Sequence, residues 1–181
     1  MTFPAELMNR IYLSLGSNVE KEQNLPRAVA LLATRARLVA VSSVYETAPV
    51  GNVDAPAYFN AAALVETTRT PEDFKREILR PIESALGRRR SSDKNAPRTI
   101  DIDVALVNEQ ICELDGRHVP EPDVVAYPHV AIPLAEIAPD YIHPETRQTL
   151  ADIASRFRRR GGIVRVREID LRSHLRPAEV G

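Results

Sequence analysis

The order in which apolar periodicity changes along the chain limits most of what it can fold into. Arg10 to Leu15 puts Ile11, Leu13 and Leu15 on one face of a strand, and Gly16-Ser17-Asn18 ends it in a turn. Asn24 is predicted to cap a helix from Leu25 to about Arg35, with Pro26 in its first turn. Leu38 to Tyr45 and Tyr58 to Thr67 read as two further strands separated by a proline-containing loop. Thr70-Pro71-Glu72-Asp73 is a strong helix start: a capping hydroxyl, proline at the first position, then acids against the helix dipole. Phe74, Ile78, Leu79, Ile82 and Leu86 supply the buried stripe, and Gly87 is placed for a left-handed cap. Ile100, Ile102, Val104 and Leu106 alternate as a fourth strand, with Gln110 to Glu113 predicted to return as a hairpin arm. Strand, helix, strand, strand, helix, strand predicts an α+β, ferredoxin-like sheet. Its βαββαβ core is antiparallel at the centre, with helices on one face. Short helices near Leu134 to Ile137 and Leu150 to Arg158 are predicted to follow it.

Composition sets the boundaries. The 181 residues suit one domain, and 44% hydrophobic content is enough for one core. No run approaches the roughly 18 apolar residues of a membrane span. The start, MTFPAELMNR, lacks a signal-peptide pattern, and Cys112 is the single cysteine, so a cytoplasmic location is expected. A net charge of −1 argues against bulk nucleic-acid affinity. Charge is uneven, however: eight arginines fall after residue 154. The expected organisation is one folded domain over residues 1–154 and an Arg-rich, surface-exposed C-terminal extension over 155–181. Prolines cluster from Ala48 to Pro56 and from Pro120 to Pro144, in stiff loops rather than linkers.

The most informative segment is Arg98-Thr99-Ile100-Asp101-Ile102-Asp103. On a strand, Asp101 and Asp103 share a face with Cα atoms about 6.5–7 Å apart, while Ile100 and Ile102 point into the core. Two such carboxylates repel unless solvent or a cation compensates, and Mg²⁺ suits them because it takes oxygen ligands and leaves positions for phosphate and water. An exposed strand face that happens to carry two aspartates is the alternative. Arg88, Arg89, Arg90, Lys94 and Arg98 lead directly into this strand, and guanidinium groups match phosphate oxygens. A basic loop beside two metal-seeking carboxylates is what phosphoryl transfer requires. No G-x-x-x-x-G-K-[ST] pattern is present, so side chains must hold any nucleotide. The histidines show no metal-ligand spacing with Cys112, and no G-x-S-x-G occurs. Tyr58 and Asn60 share a strand face and can offer a stacking ring and an amide to a heterocycle.

Taken together, these motifs resemble the 6-hydroxymethyl-7,8-dihydropterin pyrophosphokinase family of folate biosynthesis. Lys94 to Val104 (KNAPRTIDIDV) is similar to the family signature, supported by Leu13 to Asn18, Ser43 to Gly51, Tyr58 to Asn60, Glu83 with Gly87-Arg88, and Pro133 to Pro139. The resemblance implies transfer of the β,γ-diphosphoryl group of ATP to the hydroxymethyl group of a dihydropterin, releasing AMP. It implies that Asp101 and Asp103 hold two Mg²⁺ ions and that Arg88 and Arg98 stabilise charge on the transferred group, making these four the catalytic residues. Glu83, Arg90 and the position of Glu121 would stand at the nucleotide. Thr47, Ala48 and Val50 would read the pterin edge, Tyr58 would stack on it, Asn60 would hydrogen-bond it, and His129 would occupy the opposite stacking position. ATP and the pterin are the only partners expected, with no membrane or nucleic acid, and the chain is expected to be a monomer.

Three positions depart from the family pattern. Glu121 stands where a phosphate-contacting histidine is usual, Tyr127 where an arginine is usual, and His129 where a phenylalanine is usual. Asn95 replaces a loop tryptophan found in some members. Glu121 and Tyr127 make the phosphate site less positive. A relative that binds a pterin without turning over ATP therefore stands as the alternative, and a nucleic-acid-binding domain using the Arg-rich tail is a third.

Overall fold

The computed structural model describes residues 8–49, 54–89, 92 and 96–175. Within them one antiparallel sheet runs in the order β5-β1-β4-β3-β8, with β2 also paired to β4. The strands are β1 (Asn9–Ser17), β2 (Arg37–Val41), β3 (Val44–Thr47), β4 (Tyr58–Thr67), β5 (Asp101–Val107) and β8 (Ile163–Val166). Two short strands, β6 (Cys112–Leu114) and β7 (Arg117–Val119), pair only with each other, so the arm expected to return on β5 closes on itself instead.

The helices are α1 (Lys21–Arg35), α2 (Pro71–Phe74), α3 (Arg80–Ala85), α4 (Asp123–Ala126), α5 (Pro128–Ile137) and α6 (Leu150–Arg158). A π-helical stretch, Lys75–Leu79, joins α2 to α3. Thr70 caps α2 as its sequence demands, its hydroxyl accepting from the Asp73 N–H at 3.1 Å. The first helix starts at Lys21 rather than Leu25, because Asn24 is buried inside it and its amide donates back to the Val19 carbonyl at 2.7 Å. The second expected strand is broken. Ser42 accepts from the Ala62 N–H and donates to the Ser43 carbonyl, and Ser43 turns its own N–H to Glu136, which divides β2 from β3.

Both faces of the sheet are covered, rather than one. Ile11, Leu13 and Leu15 of β1, with Ala61, Ala63 and Val65 of β4, pack under α1 and the α2–α3 region. Tyr12, Ala62, Leu64 and Ala105 pack under α5 and α6. The even-numbered residues of β4 and β1 reach this second core because the hydrophobic set alternates with small alanines that admit a helix on the other side. Residues beyond 154 enter the structure too: β8 extends the sheet alongside β3, and Leu171 is buried in the first core.

Leu13 is fully buried at the middle of this arrangement. Leu13→Ala should lower unfolding free energy by about 2–5 kcal/mol, measured by urea denaturation, through lost burial and an unfilled cavity. A change under about 1 kcal/mol would mean that β1 is not an inner strand of the sheet.

Candidate active site

Strand register brings the site together. On β1, Gly16 pairs with Asn60 of β4 on one side and with Asp101 of β5 on the other, and Asn60 in turn faces Tyr45 of β3. One row further in, Ser14 pairs with Asp103. Asp101, Asn60 and Tyr45 therefore lie along one row of the sheet, on the α5 face, with only the hydrogen of Gly16 between the first two. A Cβ at Gly16 would come within 3.7 Å of the Asn60 Oδ1.

Two clefts open at this end of the sheet. The first, about 470 Å³, is lined by Thr47, Ala48, Tyr58 and Asn60 on one side and by Glu121, Asp123, Tyr127, His129 and Val130 on the other. The second, about 370 Å³, is lined by Lys75, Arg80, Glu83, Arg88, Arg89 and Arg117. Arg98, Asp101 and Asp103 line both. The diaspartate strand end is thus the partition between a half-apolar cleft and a basic one.

The charges at the partition interlock. The Asp101 carboxylate accepts from Arg88 through Oδ1 and from Arg98 through Oδ2. Glu83 Oε1 accepts from Arg88 at 2.6 Å and from the buried Ile102 N–H at 2.9 Å, tying the guanidinium to β5. Gly87, at φ 77°, makes this possible: its left-handed turn brings the Arg88 N–H back to the Glu83 carbonyl at 3.0 Å. Asp103 Oδ1 accepts from Arg117 at 3.1 Å. Burial, then the charge of Asp101, pushes the Asp103 carboxyl above the usual range, against Arg117, Arg88 and Lys75. Burial also raises Glu83, opposed by the Ile102 N–H and Arg88.

Asn60 is buried and its amide nitrogen is already used, donating to the Thr47 hydroxyl at 2.9 Å. It therefore joins β4 to β3 while its oxygen stays toward Gly16 and the cleft. Tyr127 and His129 lie with ring centroids 5.3 Å apart, tilted by 32°. Glu121, expected on the nucleotide side, lines the first cleft and is not among the residues of the second. Burial, followed by Asp103 and Asp123, raises its carboxyl. Val50, Arg90, Lys94 and Asn95 lie outside the described residues.

The second cleft contains basic groups that motif reading passes over. Lys75 and Arg80 both reach Asp115, at 3.5 and 2.7 Å, and so fasten the β6–β7 turn across the cleft from the π-helical turn. The Arg80 Nε is buried with no hydrogen-bond partner among the described residues. The only sequence signal for them was their positive charge on the helical segment that leads to Glu83. Among the described residues no group of three or more His, Cys, Asp or Glu could hold a metal ion. Asp101 and Asp103 nonetheless fit Mg²⁺, which takes one or two carboxylates and completes its shell with phosphate and water. The like-charge load on Asp103 is what a cation would relieve. Among the described residues no helix is long and apolar enough to cross a membrane.

The fold and site define an α+β protein whose diaspartate strand end separates an aromatic-lined cleft from an arginine-lined one. Residues 12–139 match the family model described as 7,8-dihydro-6-hydroxymethylpterin-pyrophosphokinase (HPPK). The chain is 35% identical over 144 residues to the 2-amino-4-hydroxy-6-hydroxymethyldihydropteridine pyrophosphokinase of Pseudomonas aeruginosa, covering 78% of this chain and 88% of the relative. It is 40% identical over 134 residues to the enzyme of the same name from Bacillus subtilis, covering 72% and 79%. The fold is similar to that of Plasmodium falciparum HPPK-DHPS, wild type with pteroate, at a TM-score of 0.65 and 13% identity. That match covers 87% of this chain and 46% of the other, so this chain spans less than half of that structure. The chain belongs to the 7,8-dihydro-6-hydroxymethylpterin-pyrophosphokinase family.

His129 gives a pH signature. Burial lowers its imidazole from 6.5, against an opposing pull from Asp123, so the native state favours the neutral ring. A folded value below the unfolded one confers stability that is present above the unfolded value and is lost as pH falls through the folded value. The raised carboxyls of Glu83, Asp103 and Glu121 act with the opposite sign, which makes the difference between variants the informative quantity. Urea midpoints taken from about pH 7 to about pH 5 should fall less in His129→Phe than in the parent. Parallel curves would show an imidazole that is solvated in the native state.

Proposed function

We propose that the chain transfers the diphosphoryl group of ATP to the hydroxymethyl oxygen of 6-hydroxymethyl-7,8-dihydropterin, giving the pterin diphosphate and AMP, with the pterin in the first cleft and the nucleotide in the second. The observation that carries this assignment of clefts is that Arg98, Asp101 and Asp103 line both. A group that must cross from one substrate to the other has to pass the residues that the two sites share. The attacking oxygen belongs to the pterin, so no protein nucleophile is required, and positioning with charge stabilisation is the protein's task.

The residues divide accordingly. Tyr58 offers a ring to the pterin face, while Asn60 and Thr47, joined to each other, present polar atoms at its edge beside Ala48. His129, whose imidazole is shifted toward the neutral form by partial burial, can stack on the heterocycle. Across the partition, Arg88 and Arg98 each hold a guanidinium nitrogen against one oxygen of a carboxylate in this structure, and polyphosphate oxygens offer them acceptors of the same charge. Glu83 aims Arg88. Asp101 and Asp103 are the residues that would hold the two Mg²⁺ ions, which when bound neutralise phosphate charge and polarise the transferred group. Lys75, Arg80, Arg89 and Arg117 add to the positive lining that a triphosphate requires.

The strand order β5-β1-β4-β3, with α1 after β1 and the α2–α3 region after β4, supports reading the sheet as a ferredoxin-like βαββαβ core whose second strand is split in two. We take residues after 154 as an extension of that core, and the working unit as one chain in the cytoplasm. A binding protein without turnover is not favoured: Glu121 and Tyr127, which motivated it, line the first cleft and leave the basic lining of the second intact.

Incubation of the pure protein with ATP, Mg²⁺ and the hydroxymethyl-dihydropterin should release AMP stoichiometrically with pterin diphosphate. Asp101→Ala and Asp103→Ala should each lower that rate by at least about a hundredfold, the scale of several kcal/mol of charge stabilisation, with a cooperative melt retained. AMP release at the parent rate in either variant would remove the diaspartate from the reaction.

Position 121 provides a separate check. Glu121→His should leave the affinity for an ATP analogue within about twofold and alter pterin affinity by about 1 kcal/mol in calorimetric titrations, because the side chain faces the first cleft. A selective gain in nucleotide affinity would place the residue at the phosphates instead.

A further inference from the structure

The first cleft is bounded by two pieces of chain that lie far apart in sequence: the end of β3, with Thr47 and Ala48, and the start of α5, with His129 and Val130. One carboxylate joins them. Glu136, in the last turn of α5, accepts from the Ser43 N–H through both oxygens at 3.1 Å and from the Ser43 hydroxyl at 2.8 Å. It also accepts from the Tyr45 hydroxyl at 2.8 Å. A further donor comes from the C-terminal extension: Arg172 Nη2 reaches Glu136 Oε1 at 2.5 Å. The same extension lays β8 along β3, from Val44 opposite Val166 to Thr47 opposite Ile163. The family match ends at residue 139, so β8 and Arg172 lie beyond it.

We propose that Glu136 is a positioning residue for the pterin pocket, and that Arg172 and β8 hold its carboxylate and β3 in place. The proposal rests on reading the first cleft as the pterin site. Tyr45 is two residues from Thr47 and stands opposite Asn60, so a shift of Tyr45 is passed to the side chains at the pterin edge. From the other direction, α5 is a ten-residue helix that carries Glu136 near its C-terminal end and His129 near its N-terminal end. A rigid helix pinned at one end holds the other, and a displacement of 1 Å at a binding group is enough to cost affinity. Burial, then the bond to Glu136, pushes the Tyr45 hydroxyl up to about 12, so it remains a donor throughout the working pH range. Removing the carboxylate would leave the Ser43 N–H and hydroxyl and the Tyr45 hydroxyl without their acceptor, and β3 would move to find others. None of Ser43, Tyr45, Glu136 and Arg172 lines the second cleft, which makes nucleotide binding an internal control.

The test uses the full chain and two probes titrated separately, 6-hydroxymethylpterin and a non-hydrolysable ATP analogue with Mg²⁺. Glu136→Ala should raise the pterin Kd about tenfold and leave the nucleotide Kd within about twofold, with KM for the pterin rising more than kcat falls. Glu136→Gln, which keeps an acceptor, should recover most of the loss. Arg172→Ala should raise the pterin Kd by about two- to threefold, because half of its side chain is exposed and such a pair contributes modestly. Equal losses for both probes would reduce Glu136 to a general stabiliser and overturn the proposal. An unchanged pterin Kd in folded Glu136→Ala would do the same. Should Glu136→Ala not fold, Arg172→Ala carries the decision, and unchanged pterin binding in that variant rejects it. If the parent chain binds the nucleotide probe but no pterin, the reading of the first cleft fails, and the positioning role fails with it. That result differs from variant-only failure, in which the parent still binds pterin.

Discussion

Everything at this end of the molecule depends on β1 being paired on both sides. Because Gly16 sits between Asn60 and Asp101, and Ser14 beside Asp103, the residues of three strands converge on one face over the width of a few strand spacings. The same pairing sends Ile11, Leu13 and Leu15 to the opposite face and into the first core. A slip of one residue would exchange these two sets, placing carboxylates among leucines. Hydrophobic burial therefore sets the register, and the register assembles the polar site at no separate cost in specificity.

Charge then determines how the site is held. Asp101 is surrounded by Arg88 and Arg98, and Glu83 keeps Arg88 from swinging away while also satisfying the Ile102 N–H. Pairs of this kind, half-buried and sharing partners, are worth most where each lone pair has a donor. Glu136 repeats the device in another place, with one carboxylate collecting donors from β3 and from the C-terminal extension. Both clusters join segments that are remote in sequence, and both stand at the edges of clefts rather than in the cores. The apolar layers give the molecule its stability, and the ionic clusters decide the relative placement of the walls.

Local chemistry was legible wherever it acts over a few residues. The alternation from Tyr58 to Thr67 and the run from Leu150 to Arg158 appear as β4 and α6 with those same bounds, and the helical segment between Thr70 and Gly87 is begun by a capping hydroxyl and ended by a residue free to take a positive φ. The placing of Asp101 and Asp103 opposite Ile100 and Ile102 follows from a period of two alone. The resemblance to the pterin pyrophosphokinases was also legible, because a signature such as Arg98 to Asp103 encodes residue type and spacing together.

What the chain alone left open involves partners distant along it. The break at Ser42 and Ser43 depends on Ala62 and Glu136, the self-pairing of β6 and β7 on which edge is free, and the burial of Asn24 on the carbonyl of Val19. That helices cover both faces was hidden because a strand flanked by alanines does not announce a second layer. Glu121 could be assigned to a side of the partition only once the strand end and α5 were placed in space. The extension illustrates the same limit: its described arginines are exposed, as their charge suggests, but the pairing of β8 with β3 and of Arg172 with Glu136, more than thirty residues away, was not legible. Sequence determined the periodicities, the caps and the diaspartate face, since these are set by neighbours a few bonds apart. Tertiary structure decided which strand edges meet, which carboxylate each arginine takes and which cleft each residue faces, because those depend on packing that brings remote segments within hydrogen-bond reach.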